Sequence, residues 1–385
     1  MLLSLYSLLT LFLTLAYVII ILRYLYGWKL LKSWTVPLGF APETKLSILI
    51  PARNEEAYIG ECINSILKQN YPSGLYEILV IDDHSTDQTG TIANSFEQFN
   101  VKVLSLEHYL KQQDKNTVAF KKAAIELGVK QASGSLIITT DADCVFPPDW
   151  LLHMVSFHEL TEAEFIAAPV RFYRETTLME RFQSLDFLGM MLITGAGIRL
   201  QWMRMCNGAN LAYTKRIFEA VNGFEGIDQL ASGDDMLLLH KVAEKYPEKI
   251  GFVKSPETCV FTPAKPDWKG FIRQRLRWAT KSARYREWQL IGVLALVFLF
   301  CTTILLNFLL LPFLGRVVLM LLLFQLGTKI LADYIFLKTA TDYFNRGDLM
   351  RFFLPAQALH IVYIVGIGLW STVKKTYHWK GRKVH

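Results

Sequence analysis

Charge is scarce toward both ends of this 385-residue chain. None occurs in residues 1–22 or in Trp288–Gly315, although charged residues make up 19% of the whole. Uncharged runs of that length exclude an ordinary soluble domain. Cysteine is sparse too: five are scattered with no Cys-x-x-Cys pair, and His84, His153 and His158 have no zinc-site spacing. A small disulfide framework and a zinc site are therefore not expected. No Gly-x-Gly-x-x-Gly follows the first strand candidate, and no Gly-x-x-x-x-Gly-Lys-Ser/Thr occurs. A nicotinamide-dependent dehydrogenase and a P-loop ATPase thus lose their usual support. Repeats and low-complexity stretches are also missing. Apolar residues are plentiful at 52%, which excludes a disordered chain, and residues 40–285 have ordinary soluble composition over a length that buries a full core.

The first uncharged run is followed by Arg23, Lys29 and Lys32. It is too long for a signal-peptide core, has no basic residues ahead of it and lacks a small-residue cleavage site. Residues 1–23 are therefore expected to be a transmembrane anchor, with the basic side in the cytoplasm. Trp288–Gly315 is long enough to span with tilt. A turn around Pro312–Arg316 leads to Val317–Leu337, and Phe352–Val373 closes a membrane bundle expected over 288–373 with about three segments. Lys329 and Asp333 sit four apart on one helical face, so they are expected to pair with each other or to face protein. The basic tail 374–385 carries Lys374, Lys375, Lys380, Arg382 and Lys383. Three full spans put this tail outside, whereas the positive-inside rule puts it inside, so a re-entrant or surface-lying segment stays open. Lys and Arg number 41 against 34 Asp and Glu, a net charge of +7. Much of the excess flanks the apolar runs, where anionic headgroups explain it. No nucleic-acid partner is expected, because no reading element is present.

Leu46–Ile50, Ile78–Ile81 and Leu136–Thr140 are apolar strand candidates, separated by helical spacing over 55–68 and 121–127. Strands that are apolar throughout, alternating with helices, predict a mostly parallel sheet covered on both faces, an α/β fold. Ligands of such sheets bind outside the carboxyl ends of the strands. Acidic residues collect there. Asp82 and Asp83 end the second strand, where they form an Asp/Ser turn or accept a donor from a nucleobase or ribose. Asp141 and Asp143 end the third. They form either a solvated turn or a site where a divalent cation, completed by phosphate and water, relieves their repulsion. Asp234 and Asp235 precede the helical start Met236–Leu239, so one is a cap and the other is free to take a proton. Residues 269–287 interleave Arg273, Arg275, Arg277, Lys281, Arg284 and Arg286 with Phe271, Ile272, Leu276 and Trp278. That pattern predicts an amphipathic helix at the membrane interface.

In combination these segments resemble a membrane-bound, inverting family 2 glycosyltransferase with the nucleotide-sugar-binding GT-A fold, over about residues 44–285. The family's Pro-x-x-Asn-Glu opening matches Pro51-Ala52-Arg53-Asn54-Glu55. Its Asp-Asp-x-Ser-x-Asp matches Asp82–Asp87, which assigns Asp83 to the uracil ring. Its Asp-x-Asp matches Asp141-Ala142-Asp143, with Asp141 at the ribose and Asp143 on the metal. The acceptor-side acidic pair matches Asp234-Asp235 and makes Asp235 the expected base. Gln274-Arg275-Leu276-Arg277-Trp278 reproduces Gln-x-x-Arg-Trp. Lys121 resembles the Lys of a Gly-Lys-x-x-Ala segment, although the preceding position is Phe120 here. Asn207-Gly208-Ala209-Asn210 resembles the segment lining donor sugar and acceptor.

The resemblance implies a GT-A catalytic domain over 40–268. Its expected donor-binding residues are Pro51, Asn54, Glu55, Asp83, Lys121, Asp141 and Arg277. At the acceptor it expects Asn210, Asp234, Gln274 and Trp278, and it calls for Mg²⁺ or Mn²⁺ on Asp143. It implies a nucleotide-sugar donor, UDP-sugar favoured, and a lipid or lipid-linked acceptor in contact with membrane lipids. The enzyme is expected to be multi-pass in the cell inner membrane, with its catalytic domain in the cytoplasm. A processive polysaccharide synthase that translocates its product is the alternative suited by Gln-x-x-Arg-Trp. A non-catalytic receptor or scaffold of this fold is a third reading, disfavoured by three intact acidic pairs.

Overall fold

The computed structural model describes residues 1–113, 117–279, 287–373, 377–379 and 382–384. The chain divides into two units. One contains Leu31–Tyr173 and Arg204–Pro263; the other contains Met1–Leu30, Arg174–Met203 and Ala264–Tyr377.

In the first unit the strands are, in chain order, β1 Leu46–Ala52, β2 Tyr76–Asp82, β3 Val101–Ser105, β4 Leu136–Thr139, β5 Phe165–Ala167, β6 Val170–Tyr173, β7 Leu211–Thr214, β8 Ile250–Phe252 and β9 Val260–Pro263. Among the described residues, seven of them form one sheet in the order β3-β2-β1-β4-β7-β5-β8, and β6 pairs with β9 separately. β3, β2, β1 and β4 run parallel, while β7 enters antiparallel between β4 and β5. Ile48, Leu49, Ile50, Ile78–Ile81 and Leu136–Ile138 are fully buried, as a sheet covered on both faces requires. Helices Ile59–Leu67, Phe120–Gln131 and Trp150–Thr161 supply apolar cover with Cys62, Ile63, Ile66, Ala124 and Leu151.

The amino ends of β1, β2 and the turn before β4 are tied by one buried carboxylate. Glu77 accepts from Ser47 Oγ at 2.7 Å, Ser133 N at 2.7 Å, Ser133 Oγ at 2.6 Å and Lys102 Nζ at 3.0 Å. Burial alone would push this carboxyl up, but those donors hold it down at about 2. Gly134 is required beside it, because a Cβ there would lie 2.5 Å from the Leu46 carbonyl carbon.

At the other end the sheet opens. The β1–β4 register stops at Leu49↔Thr139, whereas β1–β2 pairing continues to Ala52↔Asp82. Pro51, which has no N–H to offer, occupies the part of β1 that has lost one neighbour. Chain order also reverses here, with β2 and β3 on one side of β1 and β4 on the other. The crevice is therefore a topological switch point.

The second unit is helical. Leu2–Leu30, Trp288–Tyr343 and Gly347–Thr372 are each long and apolar enough to cross a membrane. The 56-residue helix would be ~84 Å long if straight, against ~30 Å of hydrocarbon. It is broken at Gly315 (φ 59, ψ −133), three residues after Pro312. Lys329 is buried and bonds Asp333, and its Nζ also donates to Gln357 Oε1 at 2.8 Å; Asp333 in turn accepts from Tyr17. Asn307 accepts from Tyr6 at 2.8 Å and donates to Gln325 at 2.7 Å. Such groups avoid a lipid-facing cost by meeting one another.

Helix Leu178–Arg199 also belongs to this unit, although it falls inside the stretch expected to be wholly catalytic domain. Its signal is the uncharged run Phe187–Ile198, too short to span but suited to packing among apolar helices.

Candidate active site

The site is built at the switch point, from segments that leave β1, β2 and β4 and enter β7. The loops after β1 and β2 are laced together. Arg53 donates to the Asp83 and His84 carbonyls at 2.8 and 3.1 Å. Asn54, held at φ 50, accepts from Thr86 N at 2.8 Å, and its own N–H donates to Ser85 Oγ at 3.1 Å. Glu55 N donates to Thr89 Oγ1 at 2.7 Å. Asp87 accepts from Thr89 N and Oγ1 and from Glu56 N. Slight burial raises its carboxyl, but these donors outweigh it and lower it. Asn54 and Asp87 thus shape the loop.

Asp82 caps the turn by accepting from Ser85 N at 3.1 Å. Asp83 is 3% exposed, and its Oδ1 lies 2.8 Å from His84 Nδ1. His84 packs edge-on against Phe120, with ring centroids 5.7 Å apart. Phe120 opens helix Phe120–Gln131 and precedes Lys121, so one aromatic contact links the segment of Asp83 and His84 to the lysine. A glycine at position 120 would not make it.

Lys121 joins two acidic segments far apart in sequence. Its Nζ donates to Asp141 Oδ1 at 2.7 Å and lies 3.2 Å from Asp234 Oδ2. Burial disfavours its charge, but Asp141, Asp234 and Asp235 overcome that and hold the ammonium well above the usual lysine range. Asp141 remains 41% exposed in its side chain, while Asp234 is buried.

Asp235 is half-buried and is the N-cap of helix Met236–Lys245. One carboxylate oxygen accepts from Met236 N at 2.7 Å and the other from Gly208 N at 3.1 Å. A Cβ on Gly208 would come within 3.3 Å of Asp234 Oδ2, 3.4 Å of Lys121 Nζ and 3.5 Å of Asp235 Cβ, so the backbone runs close past all three. Each carboxylate oxygen keeps a second acceptor position. Asp235 is therefore the cap of the pair, with both carboxylate oxygens oriented by backbone N–H groups.

Asp143 is half-buried in the turn after β4. Beneath the turn, Cys62 and Cys144 are buried thiols pushed up first by burial and then by Asp143 and Asp141. They stay protonated and are poor nucleophiles. Among the described residues no three His, Cys, Asp or Glu side chains gather as a complete cation site.

Asn210 departs from expectation. It is fully buried, donates to the Pro169 and Thr258 carbonyls at 2.7 Å each, and accepts from Trp150 Nε1 at 3.0 Å. Its amide knits β7 to its surroundings and is not presented to an acceptor.

Gln274, Arg277 and Trp278 lie on helix Trp268–Ala279, in the apolar unit. All three are half-buried, and among the described residues Gln274 Oε1 has no hydrogen-bond partner. The residue between them, Arg275, is buried. It pairs with Asp186 at 2.7 Å and lies 4.5 Å from the Trp278 ring centroid. Lys281, Arg284 and Arg286 lie outside the described residues, as do the side chains of the basic tail.

The sequence reading overlooked Arg53 and Gly208. Both stand inside segments that it singled out, but their contribution is a backbone-directed bond with no signature of its own.

The chain matches Glycosyl transferase family 2 over residues 47–221 and Glycosyl transferase family group 2 over residues 136–337, the latter more than half its length. It is 28% identical over 248 residues to the probable glycosyltransferase YdaM of Bacillus subtilis, covering 61% of this chain and 54% of that one. To glycosyltransferase AglE of Haloferax volcanii it is 29% identical over 193 residues, covering 50% and 59%. The chain thus spans a little over half the length of these relatives. The mannosyltransferase PcManGT from Pyrobaculum calidifontis, solved with GDP-Man and Mn²⁺, superposes with a TM-score of 0.52. It shares 17% identity, and the match covers 96% of both chains.

Proposed function

The chain belongs to glycosyltransferase family 2, and from that premise we propose that it transfers a sugar, with inversion, from a nucleoside-diphosphate donor to a hydroxyl of a lipid or lipid-linked acceptor. The observation that carries this reading is the convergence of Asp141, Asp234 and Asp235 around Lys121 and Gly208 at the switch point.

In the proposed reaction the acceptor oxygen attacks the anomeric carbon from the side opposite the nucleotide. The bond from that carbon to the diphosphate oxygen breaks, and its electron pair leaves with the phosphate. Asp235 takes the proton from the attacking hydroxyl, a contribution of ~10²–10⁴-fold for a positioned base. The N–H groups of Met236 and Gly208 aim its two oxygens. Lys121 holds Asp141 and Asp234 in place, so that the site is not a cluster of mutually repelling acids. Asp83, whose Oδ1 lies 2.8 Å from His84 Nδ1, is the proposed acceptor for a nucleobase N–H, and a UDP-sugar is favoured. The family resemblance assigns Arg277 to the diphosphate and Gln274 and Trp278 to the acceptor.

The ion is assigned to Asp143, which lies half-buried in the turn after β4, two residues from Asp141. A hard divalent cation that takes its remaining ligands from diphosphate oxygens and water fits this donor set, so Mg²⁺ or Mn²⁺ would arrive with the donor. When bound, the ion supplies positive charge to the departing diphosphate.

Three membrane-length helices among the described residues favour an acceptor that stays in the bilayer, and Arg23, Lys29 and Lys32 favour a cytoplasmic catalytic unit. The test is mass spectrometry of products after native membranes containing the full chain are given a panel of nucleotide sugars. Addition of one sugar to an extractable lipid is expected. A ladder of long polymers would replace this reading with the processive one, and transfer from no donor would refute both.

A further inference from the structure

Beside Lys121 stands a second lysine to which no role has been given. Lys122 is 2% exposed, yet its ammonium is placed with care. Nζ donates to the carbonyl oxygens of Ile227 at 2.7 Å, Leu230 at 2.6 Å and Ser232 at 3.0 Å. An ammonium has three N–H donors, and three carbonyls converge on it. Burying such a charge is expensive unless the geometry is satisfied in this way.

The three acceptors belong to one segment. Residues 221–235 run between helices Lys215–Ala220 and Met236–Lys245 without regular strand or helix, and they deliver Asp234 and Asp235. A connection of this length is unusual in a compact unit and commonly functional. Four of its residues have left-handed backbone: Asn222, Gly223, Gly226 and Gly233. Local turn N–H groups meet some of its carbonyls, as Leu230 N meets that of Ile227 at 3.2 Å, and others need donors from outside the loop. Lys241 takes those of Gly223 at 2.6 Å and Glu225 at 2.8 Å near the start of the loop. Lys122 takes those of the second half, immediately before the acidic pair.

We propose that Lys122 is a positioning residue: by gathering the 227, 230 and 232 carbonyls it fixes the loop that sets Asp234 against Lys121 and Asp235 against Gly208. Adjacent residues on one helix thus divide the work, Lys121 holding the carboxylates and Lys122 the backbone that carries them. The inference rests on the proposed role of Asp235, and deepens it by naming what aims the base. Arginine cannot substitute, because its planar fork does not match three carbonyls gathered about a point charge.

The test uses the full chain in lipid nanodiscs, as wild type, Lys122→Met, Lys122→Gln and Lys241→Met. Hydrogen exchange over 221–235, kcat, and the affinity for UDP and GDP with Mn²⁺ are measured on each. Lys122→Met is expected to lose amide protection in 227–235 and to lower kcat by roughly 10²-fold, the scale of an ångström misplacement, while the better-binding nucleotide keeps its affinity. Lys122→Gln, which retains two donors, should fall between it and wild type and serves if Lys122→Met does not fold. Lys241→Met should loosen 222–226 and change kcat less. Unchanged protection over 227–235, unchanged kcat, or equal losses of kcat and nucleotide affinity would each overturn the proposal. If the wild type transfers no sugar, the proposed function fails, whereas the exchange data still decide whether Lys122 holds the loop.

Discussion

Removing the charge of Lys121 while keeping its bulk, as in Lys121→Met, tests whether one ammonium holds the acidic segments together. The contacts at 2.7 Å to Asp141 and 3.2 Å to Asp234 are worth ~6 and ~5 kcal/mol gross at an effective dielectric near 20. Dehydrating the ammonium takes back much of this, and the Asp141 contact is discounted further because that carboxylate is 41% exposed. A net loss of ~2 kcal/mol remains, mostly from stranding buried Asp234. For a unit of this size that corresponds to a fall of ~4–8 °C in unfolding temperature. The same substitution leaves Asp141, Asp234 and Asp235 without their shared cation, so Mn²⁺ in the absence of nucleotide should bind more tightly while sugar transfer falls. Thermal unfolding followed by near-ultraviolet circular dichroism gives the first quantity, and manganese electron paramagnetic resonance gives the second. A variant with wild-type unfolding temperature, Mn²⁺ affinity and transfer would refute the reasoning.

Other substitutions separate metal, fold and acid sensitivity. Asp143→Asn should weaken Mn²⁺-dependent nucleoside-diphosphate binding by at least about tenfold, ~1.4 kcal/mol, and leave metal-free binding unchanged; titration calorimetry with and without Mn²⁺ reads both. Glu77, held at about 2 against an ordinary 4.5, contributes stability that is fully present above pH ~4.5 and is lost as pH falls toward 2. Its contribution is on the order of 3 kcal/mol. Glu77→Gln should therefore be less stable at neutral pH and show a flatter stability profile between those pH values in acid-unfolding titrations.

The strands were legible because both faces of the sheet are covered: Ile48–Ile50, Ile78–Ile81 and Leu136–Ile138 had to be apolar at every position. The acidic clusters were legible because they follow those runs directly. β7 was harder, since its four residues carry no periodicity that distinguishes an antiparallel insertion from a turn. The grouping of Arg174–Met203 with the apolar helices was hidden by charged residues at both ends of an uncharged run too short to span. Asn210 shows the opposite error, in which a polar residue inside a promising segment serves β7 and its neighbours. Lys121 and Lys122 are identical in type and adjacent, and only the helix's rotation of about 100° per residue sends one to carboxylates and the other to carbonyls. No pattern in the sequence announces partners more than a hundred residues away, as Leu230 and Ser232 are from Lys122.

The most direct measurement is the comparison of Asp235→Asn with wild type, reading sugar transfer and Mn²⁺–nucleoside-diphosphate affinity on the same purified full-length samples. Asn fills the same space and can still accept a backbone N–H, but it cannot take the acceptor's proton. Transfer is predicted to fall by ~10²–10⁴-fold, with nucleotide affinity held within about threefold, ~0.6 kcal/mol. Near-wild-type transfer by Asp235→Asn would contradict the assignment of the base and, with it, the function proposed for the site.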